Sequence, residues 1–159
     1  MNTAVENELV ITRIFDAPRE LVWRAWSQPE HFMRWWGPKN FTSPLCKIDF
    51  REGGKFLFCM QTREGKRYYD TGVYNKIVRL EKIIYTDCFA DETGEKVPPS
   101  FYDMPGDSII DFKVTITFEE EYGKTKITIR HAGFPAFTMR DDSVIGWNES
   151  LDKLADSLK

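Results

Sequence analysis

From residue 45 to residue 134 the chain carries six β-rich runs, and four of the five connections between them are turns of three or four residues. Turns that short join antiparallel neighbours, so this stretch reads as a meander. The runs cover residues 45–50, 55–63, 67–78, 82–91, 108–120 and 125–134, with the turns REGG, EGK, RLE and EYGK between them. The fifth connection, residues 92–107, is a long segment with three prolines and two glycines. A segment of that length in a small domain reads either as a lid or as a plain connection, and Phe101, Tyr102 and Met104 give it an apolar middle.

Alternation says which face of the meander is covered. Phe112, Val114, Ile116 and Phe118 share one face, and Lys113, Thr115 and Thr117 share the other; Ile127, Ile129 and His131 oppose Thr128 and Arg130. One face is wet and one is buried. The cover comes from the end of the chain. Val144, Trp147, Leu151, Leu154 and Leu158 recur at spacings of three and four, a one-sided helical stripe, with Thr138 and Asp141 as a candidate capping box at its start. Ahead of the meander, residues 8–15 read as a strand. "DAPRELVWRAW" follows as a helix with Pro18 in its first turn, and "QPEHFMRWWG" as a shorter helix opened by Pro29 and stopped by Gly37. The expected fold is α+β: a curved antiparallel sheet wrapped round a long C-terminal helix, in one domain over residues 1–159.

Composition narrows the partners. The chain has 159 residues, 30% of them charged, and a net charge of −3. Its basic residues are scattered, which argues against nucleic acid and anionic membrane as partners. No apolar run reaches the roughly 18 residues of a membrane span, and "MNTAVENELVITRIF" has no basic segment leading into an apolar one, so no secretory leader is expected. Cys46, Cys59 and Cys88 lie inside strand runs with no metal-type spacing and read as reduced, small apolar residues, as in a cytoplasmic protein. The two histidines, His31 and His131, are a hundred residues apart, so no metal site is expected.

The order of elements, together with "FDAPRELVWRAWSQPEHFMRWWGP", the Gly53–Gly54 turn, "TDCFADETG" and "HAGFP…GWNESLDKLADSLK", resembles the START-like superfamily (SRPBCC, helix-grip fold). More narrowly, it is similar to the family named for the activator of the 90-kDa heat-shock-protein ATPase, in its single-domain bacterial form. That resemblance implies a cavity between sheet and helix that takes lipids, sterols, polyketides or other apolar molecules. It also implies two alternatives, an enzyme of the cyclase or hydratase kind and a regulator that contacts a chaperone.

The candidate ligand-binding residues follow from the inward alternation. They are Phe56, Phe58 and Met60 on one strand, Tyr74 and Tyr85 on the next two, then Phe112 and Val114, His131, and Met139, Trp147 and Leu151 from the helix side. His131 could act as an acid or base, orient a ligand, or be a satisfied core histidine. Tyr69, Asp70 and Asp87 are further polar candidates; the simpler reading of both aspartates is a solvated strand position. Trp35 and Trp36 read either as packing for the short helices or as exposed protein-contact anchors. No nucleophile triad, phosphate loop or zinc motif is present, so no catalytic residue, cofactor or metal is assigned.

Overall fold

A computed structural model describes residues 7–159; the leader question at residues 1–6 lies outside them. The inward alternation becomes a single seven-stranded antiparallel sheet in the order β1-β7-β6-β5-β4-β3-β2. The strands are β1 (Leu9–Phe15), β2 (Cys46–Ile48), β3 (Lys55–Gln61), β4 (Arg67–Val78), β5 (Lys82–Ala90), β6 (Phe112–Glu121) and β7 (Lys124–Ala132). The first strand closes the meander by pairing with the last, Leu9 opposite His131 and Phe15 opposite Thr125. The register of β4 on β5 slips between Tyr74 and Lys76. Such a bulge adds local twist and helps bend the sheet into a groove.

The groove is filled from one end by two short helices, α1 (Arg19–Ser27) and α2 (Pro29–Phe32), and crossed by the terminal helix α3 (Phe137–Ser157). α1 sends Trp23 and Trp26 down onto Phe118, with ring centroids 4.9 and 5.6 Å apart. Phe32 of α2 meets Phe58 at 4.3 Å, and Trp35 is fully buried with its indole N–H donating to Ala25 O at 2.9 Å. A buried hydroxyl ties this layer to the sheet: Thr125 donates to Ala17 O at 2.7 Å. No described helix is long and apolar enough to cross a membrane.

Three sequence expectations change. Helix α3 begins one residue before the candidate cap: Ala136 stands at the N-cap without a side-chain hydrogen bond, so the Thr138–Asp141 box does not form. The run expected from Ser108 begins at Phe112. Beyond Phe112 the edge of β5 is already occupied by the returning 96–97 segment, where Lys96 bridges Ala90 and Val97 N–H donates to Phe89 O at 2.9 Å. Trp35, fully buried, is no exposed anchor for a partner.

Candidate functional site

At the far end of the groove the sheet and α3 part, leaving a cavity of about 410 Å³. Its floor is the inward row at one end of the strands: Met60 of β3, Tyr68 and Asp70 of β4, Asp87 and Phe89 of β5, and Phe112 of β6. His131 of β7 and Phe134 just beyond it make the next wall. The roof is the first half of α3, with Met139, Ser143, Gly146, Trp147 and Ser150 turned inward. Trp36, Pro38 and Phe41 close one side, and Tyr102 and Met104 from the long segment close another.

Why the helix stands off here is legible in its residues. Leu151 and Leu154 are fully buried, whereas no residue of α3 before Trp147 is buried. The inward positions of that first half are small, flexible or polar, so they cannot fill the groove. Gly146 is the extreme case: a Cβ there would meet only the Pro38 ring, at 3.7 Å. On the floor, a different glycine is required by close approach. A Cβ on Gly72, opposite Asp87, would lie 1.7 Å from Thr86 O and 2.6 Å from the Phe56 ring.

The 92–107 segment is pinned rather than loose. A 3-10 turn, Pro99–Tyr102, places the Tyr102 hydroxyl where it accepts from the Tyr69 backbone N–H at 3.0 Å and donates to Ala90 O. Tyr102 thereby reaches the cavity while Phe101 stays exposed.

Two features set the chemistry of the cavity. The first is His131. Its ring is 8% exposed, and Nδ1 accepts from Trp147 Nε1–H at 3.0 Å. Burial lowers its pKa to about 3, so it is neutral at ordinary pH. With Nδ1 accepting, Nε2 carries the proton, and that buried N–H has no protein partner among the described residues.

The second is a carboxyl pair. Asp70 and Asp87 are diagonal neighbours on β4 and β5, since Asp87 lies opposite Gly72. Burial pushes Asp70 well above the carboxylate range, and the charge of Asp87 and a hydrogen bond to it push the same way. Burial raises Asp87 to about 6, while the bond from Asp70 and the Cys88 backbone N–H hold it down. Both carboxyls are thus held above the ordinary carboxylate range, Asp70 further than Asp87, as expected when two carboxyls share a site and titrate as a pair. The Oδ1 atom of Asp87 is buried and otherwise unpaired. The solvated-strand reading of both aspartates is thus overturned: alternation puts them on the same inward face as Tyr85 and Phe89.

Of the candidate ligand residues, Met60, Phe112, His131, Met139 and Trp147 line the cavity. Phe56, Phe58, Tyr74, Tyr85, Val114 and Leu151 do not; all are buried within the packed half of the core. Alternation gave the right face for all of them but carries no information about height along the strand. Tyr68 and Phe89 were missed for the same reason; Trp36 and Phe134 lie outside the strands, where alternation says nothing.

The family model for "Activator of Hsp90 ATPase homolog 1-like protein" matches residues 16–159. No curated protein gives a significant match. Among solved structures, a protein from Chromobacterium violaceum is 27% identical with a TM-score of 0.78, over 96% of this chain and 97% of that one. A protein from Staphylococcus epidermidis is 29% identical with a TM-score of 0.72, over 96% and 89%. The AHSA1 protein from Silicibacter pomeroyi, 22% identical over 95% and 96%, shares the fold with a TM-score of 0.76. With a family model that spans all but the first strand and relatives that superpose end to end, the chain belongs to the Activator of Hsp90 ATPase homolog 1-like family.

Proposed function

We propose that the protein binds a small hydrophobic or amphipathic molecule in the cavity between the sheet and α3. The observation that carries this reading is a cavity of about 410 Å³ walled by Trp36, Tyr68, Phe89, Phe112 and Trp147. That volume lies in the range of small-molecule sites, about 300–1,000 Å³. Burying about 200 Å² of apolar ligand surface contributes roughly 5 kcal/mol before binding costs, so polar contacts must add to it for tight binding. The test is a search for small molecules that copurify with the protein, by mass spectrometry, beside a melting-temperature screen of lipids, aromatic metabolites and polyketides. A ligand at 100 times its Kd adds about 2.7 kcal/mol, a rise of roughly 5–10 °C for a chain of this size. A screen with no shift, and no copurifying molecule, refutes the reading.

The coupled carboxyls favour one second reading, acid–base chemistry on the bound molecule. An ionised carboxylate beside a protonated one supplies a base and an acid on the same apolar wall. Recovery of the ligand unchanged in mass, with no deuterium taken up from D₂O, refutes that reading. A chaperone contact of the kind in the family's name is supported by no exposed tryptophan anchor at Trp35; a pull-down with an ATPase assay decides it.

A further inference from the structure

The cavity holds three carboxyl groups, Asp70, Asp87 and, at its rim, Asp142, and among the described residues no lysine or arginine lines it. The thiols and phenols that interact electrostatically with Asp70 are neutral. The Cys46 and Cys59 thiols on β2 and β3 are raised by burial, as are the Tyr74, Tyr85 and Tyr102 phenols. His131 across the cavity is uncharged. The cations nearby are engaged elsewhere. Lys153 of α3 donates to the carbonyls of Pro38 and Phe41 at 3.2 and 2.9 Å, and the exposed Arg67 donates to Gln61 Oε1 at 2.7 Å. A negative charge therefore stands on an apolar, aromatic wall with no counter-charge among the described residues that line it. Such a charge is unfavourable until something positive joins it.

Three buried polar atoms on residues that line the cavity lack a protein partner, the Trp36 indole N–H among them, and independently point to a guest. Asp87 Oδ1 is an acceptor without a donor, and His131, more than nine-tenths buried, offers an Nε2–H without an acceptor. The rings of Tyr68, Phe89 and Phe112 flank the carboxyls, and aromatic faces attract organic cations.

We propose that the guest of this cavity is a cationic amphiphile, an alkyl- or arylalkylamine whose ammonium group seats against Asp70 and Asp87 while its apolar body lies among the aromatic walls. This rests on the ligand-binding reading above and names the chemical class. A neutral molecule could meet the unpaired oxygen but would leave the charge uncompensated, and a fatty acid or other carboxylate would add a second one.

The experiment compares 4-phenylbutylamine with 4-phenylbutan-1-ol, nearly equal in shape, by titration calorimetry on the full chain. At pH 7.5 the wild type is expected to bind the amine at least tenfold more tightly than the alcohol. The preference is expected to collapse at pH 5, where the pair takes up its second proton, and in the D70N/D87N double variant. A single variant leaves one carboxyl that ionises more readily once its neighbour is gone, so the double variant is the decisive one. The pH arm is read on the wild type and does not depend on how the variant folds. Equal binding of the two probes by the wild type overturns the proposal and leaves the ligand-binding reading standing. So does an amine preference that survives at pH 5 or in the folded double variant. Failure of both probes to bind overturns the proposal, and the ligand-binding reading is then decided by the screen and the copurification search.

Discussion

At the end of the groove under α1 and α2, ring meets ring: Trp26 on Trp35 at 4.7 Å, Phe56 on Phe58 at 4.1 Å, and fully buried Ile116, Ile129 and Leu154 between them. At the other end the same strands carry Met60, Asp70, Asp87, Phe112 and His131, and about 410 Å³ is left open. Nothing in the pleat distinguishes the two ends, since one alternation runs through both. The difference lies in what covers them. The second half of α3 brings leucines, α1 brings Trp23 and Trp26 and α2 brings Phe32; the first half of α3 brings Met139, Ser143 and Gly146. A bent sheet and one straight rod cannot touch along their whole length, and the sequence fills the gap at one end only. A carboxyl pair and an unpartnered imidazole N–H lie at the end that is not filled, while at the packed end the buried Trp26 indole N–H and Tyr74 hydroxyl also lack a partner. Departures from packing and polar pairing of this kind mark functional sites more often than structural ones.

The largest expected effect separates the two halves of α3 directly. Leu151→Ala removes a fully buried side chain from the packed half, and such truncations cost about 3–5 kcal/mol because the core relaxes only in part. Met139→Ala, on the half-buried cavity side, is expected to cost less than about 1 kcal/mol. Urea unfolding of the two variants checks the comparison. Equal losses would mean that the first half of the helix is packed as firmly as the second.

That contrast also explains how far the sequence could be read. The strand from residue 67 to residue 78 is predicted end for end, and the inward face of each strand follows from its alternation. The cavity's position does not follow, because it depends on where the terminal helix meets each strand. Tyr85 and Asp87 are adjacent inward positions on β5, yet one is packed and the other lines the cavity. The aspartates were misread for a related reason. A lone acidic residue in a strand is usually solvated, and only the β4–β5 register, Asp70 opposite Phe89 and Gly72 opposite Asp87, brings the two together inside.

The cavity end should also respond to pH, through two groups of opposite sign. His131 is held neutral, with its pKa lowered to about 3 from 6.5. The unfolded chain takes up a proton there below pH 6.5 and the folded chain does not. Its contribution to stability is therefore intact above pH 6.5 and is lost as pH falls toward 3. Asp87 runs the opposite way. Its pKa is raised to about 6, so the fold is favoured while the group is protonated and loses that contribution as pH rises through 6. His131→Asn keeps a side-chain acceptor for the Trp147 indole but removes the titration. The difference between wild type and variant isolates the imidazole. At pH 5 the wild type should have lost about 2 kcal/mol relative to the variant, compared with pH 7.5. Parallel stability curves from pH 7.5 to pH 4.5 would mean that the ring is charged inside the fold.

The smallest effect has the opposite sign. Gly146 sits in the middle of α3, where glycine is less favourable than alanine by about 0.8–1 kcal/mol. Its would-be Cβ meets only the Pro38 ring, at the ordinary contact distance of 3.7 Å. Gly146→Ala is therefore expected to stabilise the protein by about 0.5–1 kcal/mol, because it restricts the unfolded chain without a clash. At a packed position such as Gly72 the same change would be strongly unfavourable, since its Cβ would lie 1.7 Å from a carbonyl oxygen. The added methyl of Gly146→Ala points toward the cavity roof, so a larger residue, Gly146→Leu, is expected to take up guest space. Thermal unfolding measures the gain, and binding of the copurified ligand or of 4-phenylbutylamine to Gly146→Leu measures the lost volume. A stabilised Gly146→Ala with weakened binding in Gly146→Leu means that the helix forgoes stability at this position to keep the open end open. A destabilised Gly146→Ala would show instead that the roof is already in tight contact, and the contrast between the two ends of the groove would fail.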